Sequence, residues 1–276
     1  MVKNFSFKKL SNFIIAEAGI NHNGKIKTAL KLVDVAKKNG ANAVKFQTYI
    51  TEKRIKKKHK KIFDILKKCE LKFNEFKIIS DYCRHKKIDF FSTPFDKESV
   101  NFLDSINVKL FKIASFDIGN YDLINEVLLT KKPTIISTGM ASLKEIDKVH
   151  KIYKNKKIEL ALLHCVSSYP NKDESSYLSN ISFLKNRFKC EIGISDHTND
   201  IKIPLYGNLL GANIIEKHLK IDNNHKCVDA PVSITGKQLN TLKLEIDNIK
   251  KILNITSFGT RKEEKGSKIF KRNKIL

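Results

Sequence analysis

Two short stretches end an apolar run on a histidine flanked by charge. In "EIGISDHTND" (191–200) the run closes on Ser195, Asp196, His197 and Thr198, and in "NIIEKHLK" (213–220) on Glu216, Lys217 and His218. Imidazole suits divalent ions such as Mn²⁺, Co²⁺ or Zn²⁺. An ion held by only two protein nitrogens keeps positions open for water or substrate, as a catalytic metal requires. A single histidine more often just hydrogen-bonds within the protein; two at the ends of neighbouring strands favour the ion. Lys45 and Lys112 sit inside other apolar runs, "AVKFQT" (43–48) and "LFKIAS" (110–115). Burying a lysine is costly unless its charge meets an anion. With the hydroxyls of Thr93 and Ser137 they outline a cradle for a phosphate or carboxylate. Glu17 lies amid this positive charge, placed either to pair with a lysine or to move a proton.

The elements that must position these groups recur along the chain. Apolar runs cover 13–21, 43–48, 89–95, 110–115, 134–139, 160–167, 191–197 and 213–219. Continuous rather than alternating apolarity predicts parallel strands covered on both faces. Helical patterns fill the gaps. Ala29, Leu32, Val33 and Ala36 share one face before Gly40 as a stop; Leu143, Ile146, Val149 and Tyr153 share another behind a Ser142–Glu145 capping box; Leu239, Leu242, Ile246, Ile249 and Leu253 share a third. Eight strands alternating with helices predict a single-domain (β/α)8 TIM barrel over residues 1–255. The runner-up is an open doubly wound sheet, which the lack of a GxGxxG after the first strand disfavours. In a barrel the strands' C-terminal ends form the active face. Here every one carries polar residues: Glu17 and Asn21, Lys45 and Gln47, Ser92 and Thr93, Lys112 and Ser115, Ser137 and Thr138, His164 and Ser167, Asp196 and His197, Glu216 and His218.

Composition narrows the function classes. Hydrophobic residues are 41% and charged residues 30% of 276, ordinary for a globular protein. No apolar stretch approaches the ~20 residues of a membrane span, and the N-terminus lacks a signal peptide's pattern. The five cysteines are scattered without a CxxC pair, which predicts reduced thiols and a cytoplasmic location. The net charge of +24 is spread along the chain as lysine, with only five arginines. Nucleic-acid sites favour arginine interleaved with aromatics, so no nucleic-acid partner is expected.

The motifs also resemble the sialic acid synthase family. They are "IIAEAGINHNG" (14–24), "AVKFQT" (43–48), "FSTPFD" (91–96), "KIAS" (112–115), "ISTGM" (136–140), "LLHCVSSYP" (162–170), "GISDHT" (193–198) and "IIEKHL" (214–219), in order over about residues 12–255. The resemblance implies condensation of phosphoenolpyruvate with an N-acetylated hexosamine, N-acetylmannosamine or a diacetamido relative, giving a nonulosonic acid and phosphate. It implies a divalent metal on His197 and His218, with Mn²⁺ favoured over Co²⁺ or Mg²⁺. It matches Lys45, Thr93, Lys112, Ser115 and Ser137 to contacts with phosphoenolpyruvate and Glu17 to the acid/base. Gln47, Tyr169 and Asp229 match positions at the sugar, and a homodimer packed barrel against barrel is implied.

Three departures stand out. Phe116 and Asp117 occupy places where the family carries a small residue and glutamate, so the sugar contact at Asp117 is one methylene short. The segment "ITEKRIKKKHKKIFDILKKC" (50–69) is short and lysine-rich, and reads as a solvated loop or an attractor of anionic substrate. Residues 256–276 read as a basic tail, the remnant of a linker to an antifreeze-like domain that relatives carry and that is expected to be absent here, with its arginine. Two other functions compete: a keto-acid synthase using a phosphorylated aldose, and a non-catalytic paralogue that binds ligand or a partner synthase.

Overall fold

The computed structural model describes residues 5–253 and 258–272. Strands and helices alternate as the apolar runs predict. β1 (Phe13–Gly19) is followed by α1 (Ile26–Lys38), β2 (Ala43–Thr48), α2 (Thr51–Arg54), α3 (Lys60–Cys69) and α4 (Phe73–Lys86). Then come β3 (Asp89–Pro94), α5 (Lys97–Ser105), β4 (Phe111–Ile113), α6 (Tyr121–Leu129), β5 (Thr134–Ser137) and α7 (Leu143–Lys156). β6 (Leu160–Cys165), α8 (Ser179–Arg187), β7 (Glu191–Asp196), α9 (Lys202–Leu209), β8 (Ile214–His218) and α10 (Gly236–Ile252) complete the order. All ladders are parallel, in the order β3-β2-β1-β8-β7-β6-β5-β4. The two ends of that order, β3 and β4, pack against each other and bring the ring round on itself. This is the TIM barrel, with helices outside.

Two apolar cores hold it. The larger lies between strands and helices and takes Ala29, Leu32, Val33 and Ala36 of α1, Ile146, Val149 and Tyr153 of α7, and Leu239, Leu242 and Ile246 of α10. The second fills the lower barrel interior with Phe13, Ile15, Ala43, Phe91, Leu110, Ile135, Ala161, Leu163 and Ile214. Phe7, in a 3₁₀ turn (Phe7–Lys9), closes that end from below. Helix boundaries follow local chemistry. Ser142 and Glu145 form the predicted reciprocal capping box, and Gly40 follows α1 at φ +86°.

Four expectations are corrected. Leu143, in the first turn of α7 above the sheet, is 40% exposed, and Leu253, past the end of α10, is 53% exposed. Residues 50–69 are no plain loop: they fold as α2 and α3, because Leu66 and Cys69 bury against Ile20 and Tyr49. Seven of the eight strands stop one or two residues short of the predicted C-terminal ends, where the chain leaves the ladder to form the mouth, and β2 alone ends where predicted, at Thr48. Finally, the polar strand-end residues do not all face one rim. Strand side chains alternate between faces, and that periodicity turns Ser92, His164 and Asp196 outward. There Ser92 shares a hydrogen bond with Thr48 (2.7 Å), His164 pairs with the Ser176 carbonyl (2.7 Å), and Asp196 accepts from Lys217 (2.6 Å). The tail at 258–272 is exposed, with short turns at Lys262–Glu264 and Gly266–Phe270; 256–257 and 273–276 lie outside the described residues.

Candidate active site

The same alternation stacks the inward side chains in layers. Above the apolar floor a polar layer is set by register: Glu17 lies beside Lys45 of β2 and His218 of β8, Gln47 beside Thr93, and Ser195 beside Cys165 and Glu216. These groups line one cleft of about 430 Å³ including its open mouth. Ten of the twelve predicted site residues line it: Glu17, Lys45, Gln47, Thr93, Lys112, Ser115, Ser137, Tyr169, His197 and His218. Asp229 stands just behind, its Oδ2 3.5 Å from His218 Nδ1. Asp117 lies farther out in a 3₁₀ turn (Ser115–Asp117), accepting a 3.0 Å hydrogen bond from Asn120.

The floor of the cleft is a buried charge cluster. Lys45 is 3% exposed and Lys112 2%. The Lys45 ammonium lies 2.8 Å from Glu17 Oε2 and 3.6 Å from Glu216 Oε2, and donates to Thr93 Oγ1 at 3.2 Å. Lys112 donates to Ser137 Oγ (2.5 Å) and to the Ile113 carbonyl (2.9 Å). Burial pushes the Lys112 pKa down; for Lys45 the same push is overcome by Glu17 and Glu216, and its pKa rises. The two carboxylates split. Burial raises Glu17, only partly opposed by Lys45 and reinforced by Glu216. Burial would raise Glu216 too, but Lys112 and then Lys45 override it and hold Glu216 at about 2. One carboxyl suited to carry a proton beside one that stays anionic is the division of labour that acid–base chemistry needs. Glu216 was not among the predicted site residues. Its signal was its position two residues before His218 on one strand, hence on the same face.

Backbone fit matters as much as charge. Gly139, after β5, donates its N–H to Ser115 Oγ at 3.1 Å. A Cβ there would stand 2.4 Å from Ser167 Oγ and 2.8 Å from Ser115 Oγ. Gly19 leaves β1 at φ +50°, which turns the chain sharply between Glu17, Gln47 and Asp229.

Two imidazoles stand opposite. His197 donates Nδ1–H to the Val166 carbonyl (2.8 Å), which leaves Nε2 with a free lone pair in the neutral ring. A carbonyl fixing one nitrogen is the usual support for an imidazole ligand. The ring of His218 lies 5.5 Å from that of His197, and its buried Nδ1 makes no hydrogen bond. Two neighbouring imidazoles, one with a buried nitrogen lacking a hydrogen bond, are side chains that would suit a shared divalent ion. Among the described residues no three His, Cys, Asp or Glu side chains form a ready cage, so an ion here would rest on two protein ligands. Tyr169 packs over both rings, its centroid 4.0 Å from His197 and 6.1 Å from His218.

A second missed residue is Arg54, from α2. Its guanidinium carbon sits 3.7 Å over the Phe95 ring, and Nη1 donates to Gln47 Oε1 at 3.0 Å. Inside a lysine-rich run the sequence offers little to separate it from its solvated neighbours.

A parallel barrel whose C-terminal mouth gathers paired carboxylates, buried amines and adjacent imidazoles is the architecture of an enzyme. Comparison with known proteins specifies which kind. Residues 32–257 match the model of the NeuB family, and the chain belongs to that family. It is an N-acetylneuraminate synthase-like enzyme. It is 41% identical over 242 residues to an uncharacterised protein of Methanocaldococcus jannaschii, covering 87% of this chain and 72% of that one. It is 37% identical over 256 residues to the N,N'-diacetyllegionaminic acid synthase of Campylobacter jejuni, covering 87% and 77%. Among solved structures, the N-acetylneuraminic acid synthetase of Leptospira borgpetersenii, in complex with citrate, superposes with a TM-score of 0.90 at 39% identity, over 94% of this chain and 91% of that one. No helix among the described residues is long and apolar enough to cross a membrane.

Proposed function

We propose that this chain condenses phosphoenolpyruvate with an N-acetylated hexosamine to give a nonulosonic acid and inorganic phosphate. The observation that carries the reading is the pair of buried amines, Lys45 and Lys112, ringed by Thr93, Ser115 and Ser137 at the cleft floor of a NeuB-family barrel. Two cations and three hydroxyls match a small ligand bearing both phosphate and carboxylate.

In this reading carbon 3 of phosphoenolpyruvate attacks the aldehyde carbon of the open-chain sugar, forming the new C–C bond. Water adds at carbon 2, and the C–O bond to phosphate breaks. Glu17 is the group that holds and moves the proton, since its raised pKa lets it donate to the developing alkoxide and take a proton from water. Glu216 remains ionised and keeps the Lys45 and Lys112 ammoniums in place. Gln47, Tyr169 and Asp229 border the half of the cleft left for the sugar, with Asp117 at its edge. His197 and His218 would hold a divalent ion, Mn²⁺ in preference to Co²⁺ or Mg²⁺. When bound, it supplies Lewis-acid polarisation of the sugar's carbonyl oxygen.

Purified protein incubated with phosphoenolpyruvate, Mn²⁺ and a panel of N-acetylated hexosamines should release phosphate only when both substrates are present. Silence across the acetamido panel, with release on a phosphorylated aldose, would replace the reading by the competing synthase; silence with every acceptor would end it. For the metal, Mn²⁺ titration followed by calorimetry or spin resonance should show binding lost in both His197→Ala and His218→Ala. Retention of tight binding by either variant would remove the two-histidine site.

A further inference from the structure

Of the chain's 53 basic residues only five are arginine. Arg84 and Arg187 lie on the outer surface in ion pairs with Asp81 and Asp147. Arg54 instead lines the catalytic cleft. A chain that uses lysine nearly everywhere has no need of arginine for charge alone. What arginine adds is a flat, rigid fork of five N–H donors that stacks on aromatic rings.

The surroundings of Arg54 use that shape. The guanidinium lies 3.7 Å from the Phe95 ring centroid and 4.6 Å from that of Tyr49, so its plane is held on an aromatic bed. One nitrogen is committed to Gln47 Oε1, and Gln47 turns its own amide N–H toward Glu17 Oε1 at 3.4 Å. Among the described residues Arg54 makes no ion pair within 4.0 Å, although Asp117 and Asp229 lie within its electrostatic reach. Its remaining donors are therefore left for an occupant of the cleft. Position says which occupant: Lys45 and Lys112 hold the floor, whereas Arg54 stands with Gln47 and Tyr169 on the wall nearer the mouth.

We propose that Arg54 is a specificity-determining residue of the acceptor half of the site, donating from the free edge of its guanidinium to the carbonyl oxygen of an uncharged acetamido sugar. The two nearby carboxylates set the charge class. They balance the arginine and would repel a phosphorylated sugar, whereas a neutral amide oxygen takes the N–H donors without adding charge. This deepens the synthase reading and rests on it.

The test compares wild type, Arg54→Lys and Arg54→Leu with phosphoenolpyruvate, Mn²⁺ and the N-acetylated hexosamine that wild type turns over fastest, alongside its deacetylated and 6-phosphorylated counterparts. KM for the acetamido sugar should rise tenfold or more in both variants, while KM for phosphoenolpyruvate stays within about twofold. The preference for the acetylated over the deacetylated sugar should fall by a similar factor. Arg54→Lys keeps charge and helix, so wild-type preference in that variant would show that the fork is not read and would overturn the proposal. So would an equal rise in both KM values, or a wild type that prefers the 6-phosphate. An active wild type with unmoved variants defeats this inference alone; a wild type silent with every acceptor defeats the synthase reading and this inference with it.

Discussion

Glu17 and Glu216 are chemically alike, lie on adjacent strands and are both buried, yet their surroundings separate them. Glu216 faces both lysines and accepts from Ser195 at 2.9 Å, whereas Glu17 contacts one lysine and feels the negative charge of Glu216. Of the two, Glu17 is the carboxyl whose hold on a proton is strengthened. Replacing it by glutamine preserves size and hydrogen bonding but removes proton transfer. Glu17→Gln should lower kcat by ~100-fold or more, with both KM values little changed and the melting temperature retained. Near-normal phosphate release from this variant would take Glu17 out of the mechanism.

Each element delivers its side chains by alternation, and this is where sequence and structure part. The eight strands were legible because continuous apolar runs have few other uses in a chain of this size. Their inward and outward faces were less so, since Ser92, His164 and Asp196 look as catalytic in a row of letters as Thr93, Cys165 and His197. The ladder register decides between them, and it comes from pairing with strands far away in the chain. Arg54 escaped for a different reason: residues 50–69 read as solvated charge, and only the burial of Leu66 and Cys69 shows that two helices fold back over the mouth. The strand-to-loop exit at Gly139 carries an element-scale prediction. A methyl group there must displace Ser115 and Ser167, whose hydroxyls would stand 2.8 and 2.4 Å from it. Gly139→Ala should raise KM for phosphoenolpyruvate by about tenfold while the barrel melts within a few degrees of wild type. An unchanged KM would place the anion elsewhere.

For the molecule as a whole, stability should bend with pH at a residue outside the chemistry. His22 is 1% exposed, and its Nε2 has no hydrogen-bond partner. Burial lowers its pKa to about 4 from an ordinary 6.5. Above pH 6.5 both folded and unfolded chains carry it neutral, so it costs nothing. As pH falls below 6.5 the unfolded chain takes up a proton that the folded chain refuses, and stability is lost progressively until about pH 4. At roughly 1.4 kcal/mol per unit this amounts to about 3 kcal/mol. Urea unfolding between pH 7 and 4 should show that slope, and His22→Phe should flatten it. An identical slope in the variant would assign the acid sensitivity to other groups.

Phe7 stoppers the barrel from beneath, and below the polar layer the interior is filled with side chains. Among the described residues the cleft is closed from below, and its charged floor is approached from the mouth. Whatever rests on Lys45 and Lys112 at the far end must go in before anything standing by Arg54 and Tyr169, and it is trapped until that second occupant departs. Traffic through such a space has to be sequential. Initial-rate lines for the two substrates should intersect, and isotope trapping should capture bound phosphoenolpyruvate but not bound sugar; parallel lines, or equal trapping of both, would mean that a second way in exists.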